Sequence, residues 1–137
     1  IVGPPPQPMP KPFVIPPGAN FLLTVSEAVA APEEDLSSYT KVYVDGQVVG
    51  QTSTEPKSRE KKWGDVLSVG NHLFRFELWV LPSPGEWTPL QASWQPSERF
   101  IRIEPDRRTV VALKFFDGGL RHSLQVTREL IEVKPGP

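Results

Sequence analysis

From residue 20 onward the chain alternates apolar and polar positions with a period of two, in short runs broken by turn residues. Residues 20–26, NFLLTVS, are apolar and β-branched enough for a strand. In residues 40–50, TKVYVDGQVVG, Val42 and Val44 alternate with Lys41, Tyr43 and Asp45, and Gln47-Val48-Val49 returns. The dipeptide Asp45-Gly46 suits a type I′ turn, whose two central residues both need positive φ, so this segment predicts a hairpin. Residues 71–81, NHLFRFELWVL, set Phe74, Phe76, Leu78 and Val80 on one face and Leu73, Arg75, Glu77 and Trp79 on the other. That period excludes a helix, and the mixed second face suits a sheet side partly in water. Residues 98–104, ERFIRIE, and 109–116, TVVALKFF, read as a second hairpin about Pro105-Asp106, with Ile101 and Ile103 turned to the core. Residues 120–127, LRHSLQVT, alternate again, and Leu130-Ile131 is a last apolar pair.

Short strands, a turn signal about every ten residues and no long helical period predict an all-β fold. The expected form is an antiparallel, immunoglobulin-like β-sandwich of about seven strands. An up-and-down barrel fits the uneven loops less well. Between the strands, PEEDL at 32–36 predicts a short helix with Glu33, Glu34 and Asp35 in its first turn, where the dipole favours carboxylates. Residues 51–66 read as a polar, charged loop. Residues 82–97, PSPGEWTPLQASWQPS, hold four Pro and two Trp, and predict a long irregular loop or one carrying a short edge strand.

Proline changes the picture at the start of the chain. Eight of the 17 Pro lie in residues 1–17, where they bar helix interiors and central strands. Residues 1–18 are therefore expected to be an extended linker or stalk, with Phe13-Val14-Ile15 packing onto the domain edge. A ligand for an aromatic groove is the sharper alternative, weakened by the isolation of Lys11. The domain is expected over 19–134 and a tail over 135–137. The start Ile1-Val2-Gly3 fits a processed mature protein or an excised piece. The chain has no Cys, which removes disulfides, thiol nucleophiles and thiolate metal sites. A net charge of −1 gives no global pull towards polyanions. No apolar run reaches the ~18 residues of a membrane span.

Two segments together resemble the PEGA domain, a small β-sandwich module of bacterial and archaeal envelope proteins. Val42-Tyr43-Val44-Asp45-Gly46-Gln47-Val48-Val49-Gly50-Gln51-Thr52 is similar to that family's V-x-V-D-G-x-x-x-G-x-T hairpin. Leu67-Ser68-Val69-Gly70-Asn71-His72-Leu73-Phe74 is similar to its L-x-x-G-x-H-x-V segment, and the strands around Ile101-Arg102-Ile103 and Val110-Val111-Ala112-Leu113 follow in the expected order. The resemblance covers about residues 41–116. Ser53 stands where the family usually has Pro, a basic insertion fills 55–66, and the Trp-bearing loop replaces a Gly-aromatic element. The resemblance implies a periplasmic or cell-surface location and a role in binding or spacing, with no catalytic residue.

Catalytic patterns are sparse. The two His, His72 and His122, lie on separate strands without zinc-ligand spacing. No G-x-S-x-G, S-x-x-K or phosphate-cradling Gly loop is present. Carboxylates at 33–35, 45 and 65 lack a calcium-loop pattern. No enzyme, metal or cofactor is expected, and His72 reads as a strand-opening residue that hydrogen-bonds across the sheet. What remains is contact chemistry. Trp87 and Trp94, in the long loop, are candidate partner-binding residues, because Trp is enriched at contact hot spots; the other reading is that the loop folds back and buries both rings as a minor core. Trp63 and the basic cluster Lys57, Arg59, Lys61 and Lys62 join them, although a solvated loop also explains the cations. A protein partner in an envelope assembly is expected and nucleic acid is not. A glycan stacked on Trp87 and Trp94 is the alternative, and an enzyme assembled from loops the third.

Overall fold

Ten strands form among the described residues: β1 (Phe21–Glu27), β2 (Ser37–Val44), β3 (Gln47–Gln51), β4 (Glu55–Pro56), β5 (Lys61–Asp65), β6 (Gly70–Ser83), β7 (Glu86–Pro89), β8 (Arg99–Ile103), β9 (Arg107–Phe116) and β10 (Arg121–Leu130). The structure is a computed structural model that describes residues 14–83 and 85–131. Most of the Pro-rich segment 1–18, Phe13 included, lies outside the described residues, as do Pro84, residues 132–134 and the tail 135–137.

The strands make an all-β sandwich. One sheet has the order β10-β9-β1-β5, with β1 parallel to β9 and antiparallel to β5. The other has the order β3-β2-β6-β7, with β4 beside β2 and β8 beside β6. Alternation explains the layering. Phe21, Leu23 and Val25 of β1 and Val111, Leu113 and Phe115 of β9 face inward from the first sheet. Val42, Phe74, Phe76, Leu78, Ile101 and Ile103 meet them from the second. The Phe21 and Phe74 rings stack at 4.8 Å and join the two layers. Each such side chain contributes roughly 1.5–3 kcal/mol on burial.

The β2–β3 hairpin forms as expected, with Asp45 at φ 52° and Gly46 at φ 84° in its turn. Residues 82–97 take the second of their two expected forms. β6 continues to Ser83, and the short β7 returns beside it, followed by a single 3-10 turn at Ala92–Trp94.

Three expectations are corrected. The segment 98–116 is not a hairpin: β8 pairs with β6 and β9 pairs with β1 and β10, so the turn at Pro105-Asp106 carries the chain from one sheet to the other. Alternation marks a buried face but does not name the neighbour, and Ile101 and Val111 reach one core from opposite layers. The stretch 51–66 is not all loop, because β5 closes the edge of the first sheet. PEEDL makes one 3-10 turn, Pro32–Glu34, and Asp35 ends it by turning its side chain to Ser58.

Candidate functional site

The basic stretch is drawn inward. β5 pairs with β1, which points Lys61 and Trp63 to one side and Lys62 to water. Lys61 is 1% exposed, and its ammonium donates to the carbonyls of Pro56, Lys57 and Arg59 at 3.0, 3.2 and 2.7 Å. Burial pulls its pKa down to about 8. Lys57 is buried beside Glu27, Nζ to Oε2 3.5 Å. Desolvation raises the Glu27 pKa, and the Lys57 charge offsets part of that rise. Arg59 and Lys62 are exposed, and each lies by a neighbouring carboxylate, Glu55 at 3.8 Å and Glu60 at 3.5 Å. All four cations therefore have partners within the chain. The cluster is a folded turn held by its own lysines, not a basic patch.

The tryptophans follow the same course. Trp63 is 8% exposed and covers Gly50 of β3, where a Cβ would overlap its ring. Trp87 is 5% exposed, edge-on to Tyr39 at 4.9 Å, and Tyr39 stacks on Trp79. These three rings form a small second cluster, with Leu81 against it. Trp94 is half-buried on its 3-10 turn, which Gln95 pins by donating to the carbonyls of Leu78 and Leu90. Of the seven residues singled out in the sequence, Lys57, Lys61, Trp63 and Trp87 are thus buried, Trp94 is half-buried, and Arg59 and Lys62 face solvent. The interior uses of the lysines have one sequence signal: Lys61 and Trp63 are two apart and so share a strand face.

The mixed face of β6 is equally committed. Glu77 accepts from Tyr43 Oη at 3.2 Å, Trp79 Nε1 at 2.8 Å and Arg75 Nη1 at 3.0 Å. The Arg75 guanidinium lies 3.7 Å from the centre of the Tyr43 ring, and the Lys41 ammonium 4.9 Å from that of Trp79.

One pair joins the two sequence segments that carry the family resemblance. His72 Nδ1 donates to Asp45 Oδ2 at 2.7 Å, and Nε2 lies 2.8 Å from the Ser68 carbonyl. Asp45 Oδ1 also accepts the Leu73 N–H at 3.0 Å. A carboxylate and a carbonyl both accept, so the geometry favours a ring with both nitrogens protonated, while the Ser68 hydroxyl, 3.1 Å from Nε2, can donate to the neutral ring. The bond to Asp45, then that to Ser68, raises the His72 pKa, and the same bond to His72 lowers that of Asp45. The pair clamps the hairpin turn to the start of β6.

Two surfaces among the described residues bear most on binding. A groove of about 730 Å³ lies over the Glu27–Lys57 pair, walled by Val29, Glu34, Phe116 and Arg121. Its charged floor is internally paired. The other surface is the outer edge of β10. Over its ten residues β10 pairs with β9 in unbroken register and with no other strand among the described residues. The opposite edge is guarded: β5 is half that length and anchored by buried Lys61 and Trp63. Leu120 and Leu130, at the two ends of β10, are 53% and 72% exposed. Among the described residues no three His, Cys, Asp or Glu side chains converge as a metal site would require, and no helix is long and apolar enough to cross a membrane. No family model, curated protein or solved structure matches this chain. Its open edge is thus the feature with most capacity to bind: a run of main-chain donors and acceptors in unbroken register, with apolar residues at both ends.

Proposed function

We propose that the chain is a non-catalytic β-sandwich module that binds a protein partner in a cell-envelope or cell-surface assembly, and that the partner docks by adding a strand to β10. One observation carries this reading: among the described residues a ten-residue edge strand stays unpaired on one side, without a bulge or a proline to protect it. Strand addition takes its affinity from main-chain hydrogen bonds and its selectivity from alternate side chains. The placement in the envelope rests on the resemblance of residues 41–116 to the PEGA domain. The test is affinity capture from envelope extracts of the source cells with the wild-type chain and a Ser123→Lys/Gln125→Lys/Thr127→Lys variant. All three positions are exposed and on the outer face of the strand, so the lysines guard the edge without entering the core. Loss of the captured protein with the variant is the expected result. Equal recovery by both proteins overturns the proposal.

A further inference from the structure

We infer that β10 pairs with β10 of a second copy of this chain, antiparallel about a two-fold axis at Gln125, and that the module is a dimer built on one continuous sheet. This rests on reading the β10 edge as the contact surface, and it names the occupant. The order of residues along the edge selects this occupant. In a two-fold antiparallel pair, residues facing each other must share a face, so the axis passes through a residue rather than between two. Register with β9 places Leu124 and Val126 opposite Leu113 and Val111, on the core side, and places Arg121, Ser123, Gln125, Thr127 and Glu129 on the outer side.

With the axis at Gln125, every outer position meets a fitting neighbour. Arg121 faces Glu129 of the other copy, Ser123 faces Thr127, and Gln125 faces itself. On the core side Leu124 faces Val126. Just beyond these pairs, exposed Leu130 comes beside exposed Leu120. Opposite charges, hydroxyl pairs and apolar pairs across strands are each stabilising. His122 faces Arg128, whose guanidinium is held away from the edge by the Arg102 carbonyl at 2.8 Å and by Glu104 at 3.1 Å. Shifting the axis to Val126 sets Ser123 against Glu129 and Leu124 against Arg128. Shifting it to Leu124 sets Arg121 against Thr127 and leaves Glu129 beyond the paired stretch. The Gln125 axis alone among the three matches both charge and polarity, and it does so eight times per dimer beyond the axis: two ion pairs, two hydroxyl pairs and four apolar pairs.

The strands' ends are already shaped for this. The Asp117-Gly118-Gly119 turn, with Asp117 at φ 51°, starts β10 cleanly at Arg121. Arg121 makes an exposed ion pair with Asp117, and Glu129 one with Arg108 at 3.4 Å. Both are surface pairs of small worth, free to be shared with an incoming strand.

Sedimentation velocity on the wild-type chain tests this, with its monomer mass of 15.3 kDa as reference. A species of twice that mass is expected. Arg121→Glu and Glu129→Arg each set like charges together and should weaken dimerisation at least tenfold, while the Arg121→Glu/Glu129→Arg exchange should restore it. Thermal melts of all variants confirm that each is folded. Because the chain has no Cys, Gln125→Cys should form a disulfide-linked dimer under mild oxidation, since facing residues lie within disulfide reach. Thr127→Cys, away from the axis, should not. A wild-type chain that stays monomeric, a dimer indifferent to the charge substitutions, or equal cross-linking of both Cys variants overturns the inference. A monomer whose lysine-edged variant loses its captured partner leaves the strand-addition reading standing, so the two failures are distinct.

Discussion

Glu27 and Lys57 illustrate how a charged residue changes meaning with burial. Breaking a buried pair leaves one charge without compensation, which costs about 3 kcal/mol or more. Lys57→Met is expected to destabilise the fold by about 3 kcal/mol at pH 7, read from urea unfolding. The Glu27 pKa is raised in the folded state, so its burial costs stability as pH climbs above the ordinary carboxylate value. The Lys57→Met loss should therefore shrink towards pH 4, and Glu27→Gln/Lys57→Met should recover most of it. Asp45 and His72 behave in the opposite sense, because their charged forms are favoured together. The raised His72 pKa gives stability that is fully present below about pH 6.5 and lost as pH rises through the folded value. The lowered Asp45 pKa gives stability present above about pH 4 and lost as pH falls further. Asp45→Asn keeps a residue that tolerates positive φ. It should lower the melting temperature most between about pH 5 and 6 and least near pH 9.

At the scale of elements, close approach between sheets governs. β3 and β5 lie at the same side of the sandwich in different sheets, and Gly50 leaves the room into which the Trp63 ring fits. Gly50→Ala is expected to cost about 2 kcal/mol through overpacking, measured by chemical denaturation, with a shift in tryptophan emission as Trp63 is displaced. In the sequence, Gly50 belongs to the resemblance to a family hairpin, and nothing around it names Trp63 as its neighbour. The elements with strict alternation, β2, β6, β9 and β10, are legible from their residues, as is the turn at Asp45-Gly46. β5 is not: KKWGD has two cations and a glycine, and it becomes a strand because β1 offers it a partner. The PEEDL segment ends after one turn because the Asp35 carboxylate accepts from Ser58, 23 residues away.

At the scale of the molecule, the sandwich is closed by connections that cross between layers, such as β8 to β9, and by the parallel pairing of β1 with β9. These crossings leave β10 as an outer strand of the first sheet. The same topology places the Asp45–His72 clamp between segments 27 residues apart, and gathers Tyr39, Trp79 and Trp87 on one patch. The residues chosen in the sequence as contact residues were the large aromatics and the clustered cations. Both groups are strong formers of interior contacts once a backbone is near, so most of them went inside. The sequence marks 120–127 as a strand, and an exposed sheet edge is expected of any open sandwich, but nothing in these ordinary residues says that this strand is the edge, because an unpaired edge is a property of strand order.

The sequence by itself determined that the chain is all-β, where most strands lie, and the turn at Asp45-Gly46, because side-chain period and local φ preference are encoded within a few residues. Only the tertiary structure decided which strands are neighbours, which charges are buried and which edge stays open. Those depend on pairing between distant segments, and alternation is the same whichever strand lies alongside.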